Sequence, residues 1–343
     1  MRIGVLDVGS NSAHLKIVDL AEGRPPCTVD TLKHPTRLAE AIAPDGTIGD
    51  EAVRRLVGAV GQAACTAALH GVDELIAFAT SAVRDAANRD EILARVADRT
   101  GVELGFLTGA QEATLTFQAV RAWYGWSARR LLVVDIGGGS LEIAAGEGQE
   151  PDVALPLPLG AGRLTRRHLP GDPPGPERVR RLRRHVRRKL ADATAPLAGD
   201  LDGRAAGTVA VATSRVLTQL AVLGGAPKPR KGPHVRRVLR RARLRGQIDD
   251  LAGMTASQRA GLRGISAPRA PQILAGAIVA EATMSALHVK HMEVCPWALR
   301  EGIILHRWEM LADPAARSPT PLPASPRPRS HLIVVPSVAE AHA

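Results

Sequence analysis

The sequence predicts an α/β fold in which two duplicated domains face each other across a cleft, and three observations predict it. Apolar, β-branched runs alternate with amphipathic stretches along most of the 343 residues, the signature of strands alternating with helices. A glycine-rich turn preceded by an aspartate occurs twice, in VLDVGSNSAHLKIVD from residue 5 and in VVDIGGGSLEIAAG from residue 133. Shifting one half by 128 residues places Asp7 on Asp135, Gly9 on Gly137 and Ser12 on Ser140, each after a β-branched run and before a second strand. With 45% apolar residues the chain can bury a sizeable core.

The elements follow in order. Strands are expected at 2–7 and 13–20 around the first turn, then near 28–33, with helices at about 36–43 and 49–70. The run ELIAFAT (74–80) reads as a buried strand, followed by helix 88–100, a short strand 102–107 and helix 109–123. The pattern restarts near Trp126, where LLVVDIGGGSLEIAAG again gives strand, turn, strand. Val179, Leu182, Val186 and Leu190 share one face of a helix at 176–193. VAVAT (209–213) is a strand, with helices near 214–223 and 243–252, then helix 270–287, strand 289–294 and helix 297–311. The expected organisation is a first domain at 1–125 and a second at 126–312 with basic helical insertions, its last helix able to pack on the first domain. A Pro-rich tail at 313–343, containing SPTPLPASPRPRS, is expected to be disordered.

Composition excludes several classes. Cys27, Cys65 and Cys295 are odd in number and lack CxxC spacing, so neither a disulfide framework nor a zinc site is expected, and a reducing cytoplasm fits. Asp7 interrupts the first apolar run, which is therefore not a signal peptide, and no uncharged stretch reaches the length of a membrane span. The net charge of +11 is local. Residues 163–189 hold 11 Lys/Arg against Asp172 and Glu177, and residues 228–245 hold 9 with no acid. Such runs are either solvated helix faces or a surface for a polyanion. Eight aromatic residues in the whole chain give no stacking platform for single-stranded nucleic acid, which ranks nucleic acid low among partners.

The paired turns carry the chemistry. Glycine lets backbone N–H groups approach a ligand closely, and concave rows of N–H groups bind phosphate oxygens. Asn11 and the serines add side-chain donors. Neither turn is a GxxxxGK[ST] loop or a GxGxxG opening a helix, so the P-loop and dinucleotide readings fail on context. Asp135 closes one strand and Glu142 lies on the returning strand, on the same side as Ser140. Asp135 and Glu142 can meet over the turn and hold a hard cation, Mg²⁺ or Mn²⁺; a hairpin with Asp135 capping backbone groups is the simpler alternative. Glu112 opens a helix behind Thr108, where a carboxylate stabilises the helix start, and local sequence gives it no further role.

Together IGVLDVGSNSAHL, FATSAVRDAANRDEIL, LTGAQEATLTF, LLVVDIGGGSLEIAAG, LPLGAGRLTRRHL, RAPQILAGAIVAEATM and CPWALREGIIL resemble the exopolyphosphatase/guanosine pentaphosphatase (Ppx/GppA) family, in its order and over residues 2–306. The resemblance is to short, two-domain, actinobacterial-type members and implies two actin-like, ribonuclease H-like domains. It implies a first phosphate motif at Asp7, Gly9, Ser10, Asn11 and Ser12, and a second at Gly137, Gly138, Gly139 and Ser140. Arg84 and Asn88 fall in a polar motif at the cleft wall, Asp135 and Glu142 in metal-associated positions, and Glu112 on the catalytic glutamate that positions and deprotonates water. The implied reaction is in-line attack of water on the terminal phosphorus of polyphosphate, with release of orthophosphate. Guanosine pentaphosphate and tetraphosphate are further implied ligands, and a homodimer is left open. A basic track through Arg163, Arg183, Arg187 and Arg188 is expected to hold the rest of the chain. The sequence departs from the family at Gln111 and Thr114 beside Glu112, at Ala212, Arg215 and Val216 where a glycine-rich turn often stands, and at Pro271. These departures motivate an alternative, a non-catalytic polyphosphate or alarmone sensor; a kinase of the same superfamily is a third reading.

Overall fold

The computed structural model describes residues 1–312, so the expected tail at 313–343 lies outside the described residues. The first half of the chain builds β1 (Arg2–Val8), β2 (Ser12–Ala21), β3 (Arg24–Pro35), α1 (Asp50–Leu69), β4 (Glu74–Ala79), α2 (Ser81–Arg84), α3 (Arg89–Thr100), β5 (Gly105–Phe106) and α4 (Gly109–Tyr124). The second builds β6 (Arg130–Ile136), β7 (Leu141–Gly146), β8 (Val153–Leu157), α5 (Ala161–His168), α6 (Pro176–Thr194), β9 (Thr208–Ala212) and α7 (Arg215–Leu223). It continues with β10 (Val238–Arg240), α8 (Arg241–Gly253), α9 (Ala256–Ala260), α10 (Ile273–Ala286), β11 (His291–Val294) and α11 (Leu299–Ala312).

The two halves repeat one topology. The first sheet runs β3-β2-β1-β4-β5; the second runs β8-β7-β6-β9-β11, with β10 added at the edge. In each, three strands form an antiparallel meander and the following strand lies parallel to the first. β1 and β6 are buried continuously, as strands covered on both faces must be, except at the first residue and the sixth. The sixth is Asp7 in one and Asp135 in the other. Both aspartates therefore emerge at the carboxyl end of a central strand, the usual place for a ligand crevice in an α/β sheet.

The last helix returns to the first half. Ile303 and Ile304 of α11 are buried in one cluster with Ile3, Val5, Val18, Leu20, Ile76, Phe78, Leu107 and Leu115. A side chain at Gly302 would collide with the Leu115 carbonyl, so glycine here allows α11 and α4 to approach closely. No helix among the described residues is long and apolar enough to cross a membrane.

Several expected elements are corrected. Helix 36–43 is replaced by a single 3₁₀ turn at Leu38–Ala41, because Arg37 takes a left-handed φ of 49° and breaks helical continuity. Strand 102–107 shrinks to two residues. Helix 270–287 begins as a 3₁₀ segment, Ala267–Gln272, since Pro271 has no N–H to join an α-helical ladder. Missed altogether are α2, α5, α9, β8 and β10; all but the eight-residue α5 span five residues or fewer, too short to show a period, and β8 also contains Pro156.

Candidate active site

Each glycine turn is held from behind by its carbonyls. Gly137 N–H donates to Ser140 O at 2.9 Å, and Gly9 N–H to Ser12 O at 3.1 Å, so the two turns close identically. The Gly137 carbonyl accepts from Ala161 N–H (3.0 Å), Gly138 from Arg163 N–H (2.8 Å) and Gly139 from Arg163 Nε (2.8 Å). In a trans peptide the carbonyl and the next N–H point in opposite directions. The N–H groups of Gly138, Gly139 and Ser140 are thereby turned away from α5, and among the described residues they find no acceptor. In the first turn Ser10 O accepts from Ala39 N–H (2.9 Å) and Asn11 O from Thr36 and Arg37 N–H (3.0 and 3.1 Å). The same logic frees Asn11 N–H, and residues 36–39 serve the turn instead of forming a helix.

The turns meet. A Cβ on Gly138 would strike Ser10 Oγ, and one on Gly139 would strike Ser81 at the start of α2. Arg163 pairs with Asp85, joining the second turn to the end of α2. Asp85 in turn lies 3.5 Å from Arg84 Nε, and Arg84 Nη1 donates to Glu112 Oε1 at 2.6 Å and to Leu107 O at 2.9 Å. Glu112 is thus oriented by a chain of alternating charge that begins at the second turn. Gln111, a departure from the family, completes a capping box with Thr108: its Oε1 accepts from Thr108 N–H (2.8 Å) and its N–H donates to Thr108 Oγ1 (3.2 Å).

Four carboxylates converge here. Asp135 and Glu142 are directly opposed in the β6–β7 ladder, which puts both side chains on one face. Thr213 Oγ1 donates to Asp135 Oδ2 at 2.5 Å. Burial pushes Asp7 up to about 6, with Arg300 opposing and the Glu301 and Asp135 charges adding. Burial raises Glu112 to about 7 against the pull of Arg84, and the Asp7 and Asp135 charges push the same way. Glu142 is raised well above the carboxylate range by burial and then by the Glu112 and Asp135 charges; burial also raises Asp135, against the Thr213 hydrogen bond. Asp7 Oδ1 and Glu142 Oε1 are buried and, among the described residues, have no hydrogen-bond partner. A cation would relieve the mutual repulsion of such a cluster. Among the described residues no three Asp, Glu, His or Cys groups form a ready metal cage. Hard oxygen donors without a full protein cage suit Mg²⁺, which keeps several waters and binds through one or two carboxylates plus phosphate oxygens.

Sequence reasoning missed the cations around Asp7. Arg300, on α11, donates to His14 Nδ1 (3.0 Å) and lies 3.9 Å from Asp7 Oδ2. His14, opposite Asp7 in the β1–β2 ladder, also contacts Ser12 Oγ at 3.0 Å. Burial and the charges of Arg300, Lys33, Arg215 and Arg269 depress His14 to about 3, so it is neutral at pH 7. No local pattern links Arg300 to a turn nearly three hundred residues earlier.

Other expected residues are engaged elsewhere. Asn88 pins the segment before α1, its Oδ1 accepting from Ile48 N–H (2.9 Å) and its Nδ2 donating to Ile48 O (3.0 Å). On α6, Arg183 pairs with Asp249 (3.3 Å) and Arg187 with buried Glu281 (3.6 Å), while Arg188 is exposed. The altered third turn has its own structure. Ser214 sits at φ 68°, a conformation glycine adopts without strain, and caps α7, while Val216 fills the space left by Gly276.

Residues 16–310 match the model of the Ppx/GppA phosphatase family. The chain is similar to Exopolyphosphatase 1 of Mycobacterium tuberculosis, 50% identical over 318 residues, which cover 92% of this chain and 91% of that protein. Exopolyphosphatase 1 of Mycobacterium leprae is also 50% identical, covering 92% of each. The fold is similar to the crystal structure of the Aquifex aeolicus Ppx/GppA family member, with a TM-score of 0.71, 25% identity, and coverage of 90% of this chain and 97% of that one. With a match across most of its length and half its residues shared with these relatives, the chain belongs to the Ppx/GppA phosphatase family.

Proposed function

We propose that the chain is an exopolyphosphatase that removes the terminal phosphate of inorganic polyphosphate as orthophosphate. The observation that carries this reading is the meeting of two turns, with N–H groups unpaired among the described residues, around half-buried and buried carboxylates, beside a glutamate oriented by Arg84. The terminal phosphate lies against the N–H groups of Asn11, Gly138, Gly139 and Ser140, which meet the charge on its oxygens. Glu112 accepts the proton of a water whose oxygen bonds to the terminal phosphorus. The bridging P–O bond breaks, and the electron pair leaves with the shortened chain. A pKa raised to about 7 leaves Glu112 near the optimum for a base at neutral pH. Asp135 and Glu142 are the residues to hold Mg²⁺ or Mn²⁺, and a bound cation would neutralise phosphate charge and relieve the mutual repulsion of the carboxylates. The 5′-terminal phosphate of guanosine pentaphosphate presents the same reacting end.

The test is orthophosphate release from chains of defined length with Mg²⁺, comparing the wild type with Glu112→Gln. The expected loss is roughly 10² to 10⁴-fold, the range for a positioned general base. Equal rates would remove Glu112 from the mechanism, and tight polyphosphate binding by a wild type without turnover would make the protein a sensor.

A further inference from the structure

Arg215 opens α7 two residues after Thr213, the residue that holds Asp135, and its charge reaches His14, Lys33 and Arg269 at the cleft. It also lines a cavity of about 530 Å³ on the flank of the second sheet's helical layer. Lys228, Arg230 and Arg263 line the same cavity, with the hydroxyls of Thr218 and Ser266, and no carboxylate does. Among the described residues none of these four cations is ion-paired; Arg263 Nη2 donates to the Ala226 carbonyl at 3.2 Å.

The loop carrying two of them is fixed. Buried Arg237 donates to the carbonyls of Pro227 (2.9 Å), Lys228 (3.0 Å), Gly232 (2.9 Å) and Val235 (2.8 Å). One buried guanidinium thus sets the backbone from which Lys228 and Arg230 project. Four cations around one concavity repel each other and favour a dense anion, and preorganisation lowers the entropy lost on binding it. The lining has no aromatic side chain to stack a base, which favours a bare phosphate chain over a nucleotide.

The basic run on α6 is built differently. Arg180 and Arg181 converge on Glu177, Arg183 meets Asp249, and Arg187 shares buried Glu281 with Arg245. Among the described residues, five of the eight Lys/Arg on α6 thus share three carboxylates, whereas the four cavity cations have none.

We propose that the cavity between the start of α7, residues 228–230 and residues 261–266 is a distal subsite for the interior phosphates of a polyphosphate chain whose end lies at the glycine turns. The proposal rests on the exopolyphosphatase reading and deepens it, because it assigns a preference for long chains to residues outside the reacting centre.

The experiment compares Lys228→Glu/Arg230→Glu and Arg263→Glu with the wild type, using tripolyphosphate and chains of several hundred phosphates. The expected result is a KM for long chains raised about tenfold or more beyond any change for tripolyphosphate, as lost charge-assisted contacts require. Lys228→Gln/Arg230→Gln should give a smaller change in the same direction, with thermal melting confirming that each variant folds. An equal rise for both substrates, no rise for either, or a larger length-dependent effect from charge reversal at Arg183, Arg187 and Arg188 would overturn the proposal. Equilibrium binding of long chains without divalent cation separates the two readings. Binding lost in the variants supports the subsite even if the wild type shows no turnover, and binding retained rejects it. Weakened binding of guanosine pentaphosphate with long-chain binding intact also rejects it, in favour of a nucleotide site.

Discussion

The two glycine turns descend from one pattern but have become complementary rather than equal. Asp7 faces a neutral histidine across its ladder, with Arg300 behind it; Asp135 faces Glu142. The first turn carries side chains, Ser10 and Asn11, whereas the second is three bare glycines. Space explains the difference. A Cβ at Gly9 would meet its nearest neighbour, Ser12 O, at 3.3 Å, a tight but tolerable contact, whereas at Gly138 or Gly139 it would strike a serine from the other half. One half supplies the bulk that the other leaves out, and across the ladder Asp135 meets a second acid where Asp7 meets a histidine backed by Arg300.

The sharpest way to break this comparison is to give both turns a methyl group. Gly139→Ala should lower the rate of orthophosphate release at least 10²-fold, because it forces Ser81 and the joined turns apart and misplaces the reacting groups. It should also destabilise the fold by about 1–3 kcal/mol, as overpacking does. Gly9→Ala should change the rate by no more than a few-fold. Steady-state rates and melting of the two variants decide the matter; equal losses would mean that the turns are equally constrained.

A second prediction sharpens the charge contrast across the first ladder. Asp7 has a folded pKa near 6 instead of the ordinary 3.8, so its ionisation opposes folding. Its favourable contribution is complete below about 4 and is lost as pH rises through 6. In cation-free buffer, Asp7→Asn should therefore raise Tm at pH 8 relative to the wild type, by an amount that vanishes near pH 4. His14 goes the other way: with a folded pKa near 3, its contribution is present above 6.5 and is lost as pH falls toward 3. A His14→Gln variant should flatten that acid-side loss. Melting curves from pH 4 to 8 read both, and parallel curves for Asp7→Asn and the wild type would contradict the assigned shift.

The smallest expected effect is at the bridge between the halves. Asp85 is partly exposed, so its pair with Arg163 contributes about 0–1 kcal/mol, and Asp85→Asn should leave Tm within a few degrees of the wild type. Because Asp85 also holds Arg84, the variant should lower kcat by a few-fold through a less ordered Glu112. An unchanged kcat would make the bridge a passive contact.

What the sequence made legible was local and periodic. The Asp-Gly turns, the ladder that opposes Asp135 to Glu142 and the buried face of α6 follow from spacing of two or 3.6 residues. Non-local placement was invisible. Arg300 and Arg163 reach their partners only through tertiary packing, and Asn88 turned out to secure a neighbouring segment at Ile48. Charge density along the chain does not show which cations the fold pairs. Five of the eight cations in the densest basic run, on α6, share Glu177, Asp249 and Glu281, whereas the cavity cations, without an ion pair among the described residues, are scattered from residue 215 to 263. A linear count cannot see which acids the fold returns to a helix.

The return of α11 to the first sheet has a consequence during biosynthesis. The apolar surface formed by Ile3, Val5, Val18 and Phe78 leaves the ribosome early, yet Ile303 and Ile304, which share its cluster, are made more than two hundred residues later. At translation rates of roughly 5–20 residues per second, that surface waits on the order of 10–40 s for its covering helix. The nascent chain must keep it shielded through that interval, by chaperones or by α4, and a fragment ending before residue 299 would never cover it in the native way.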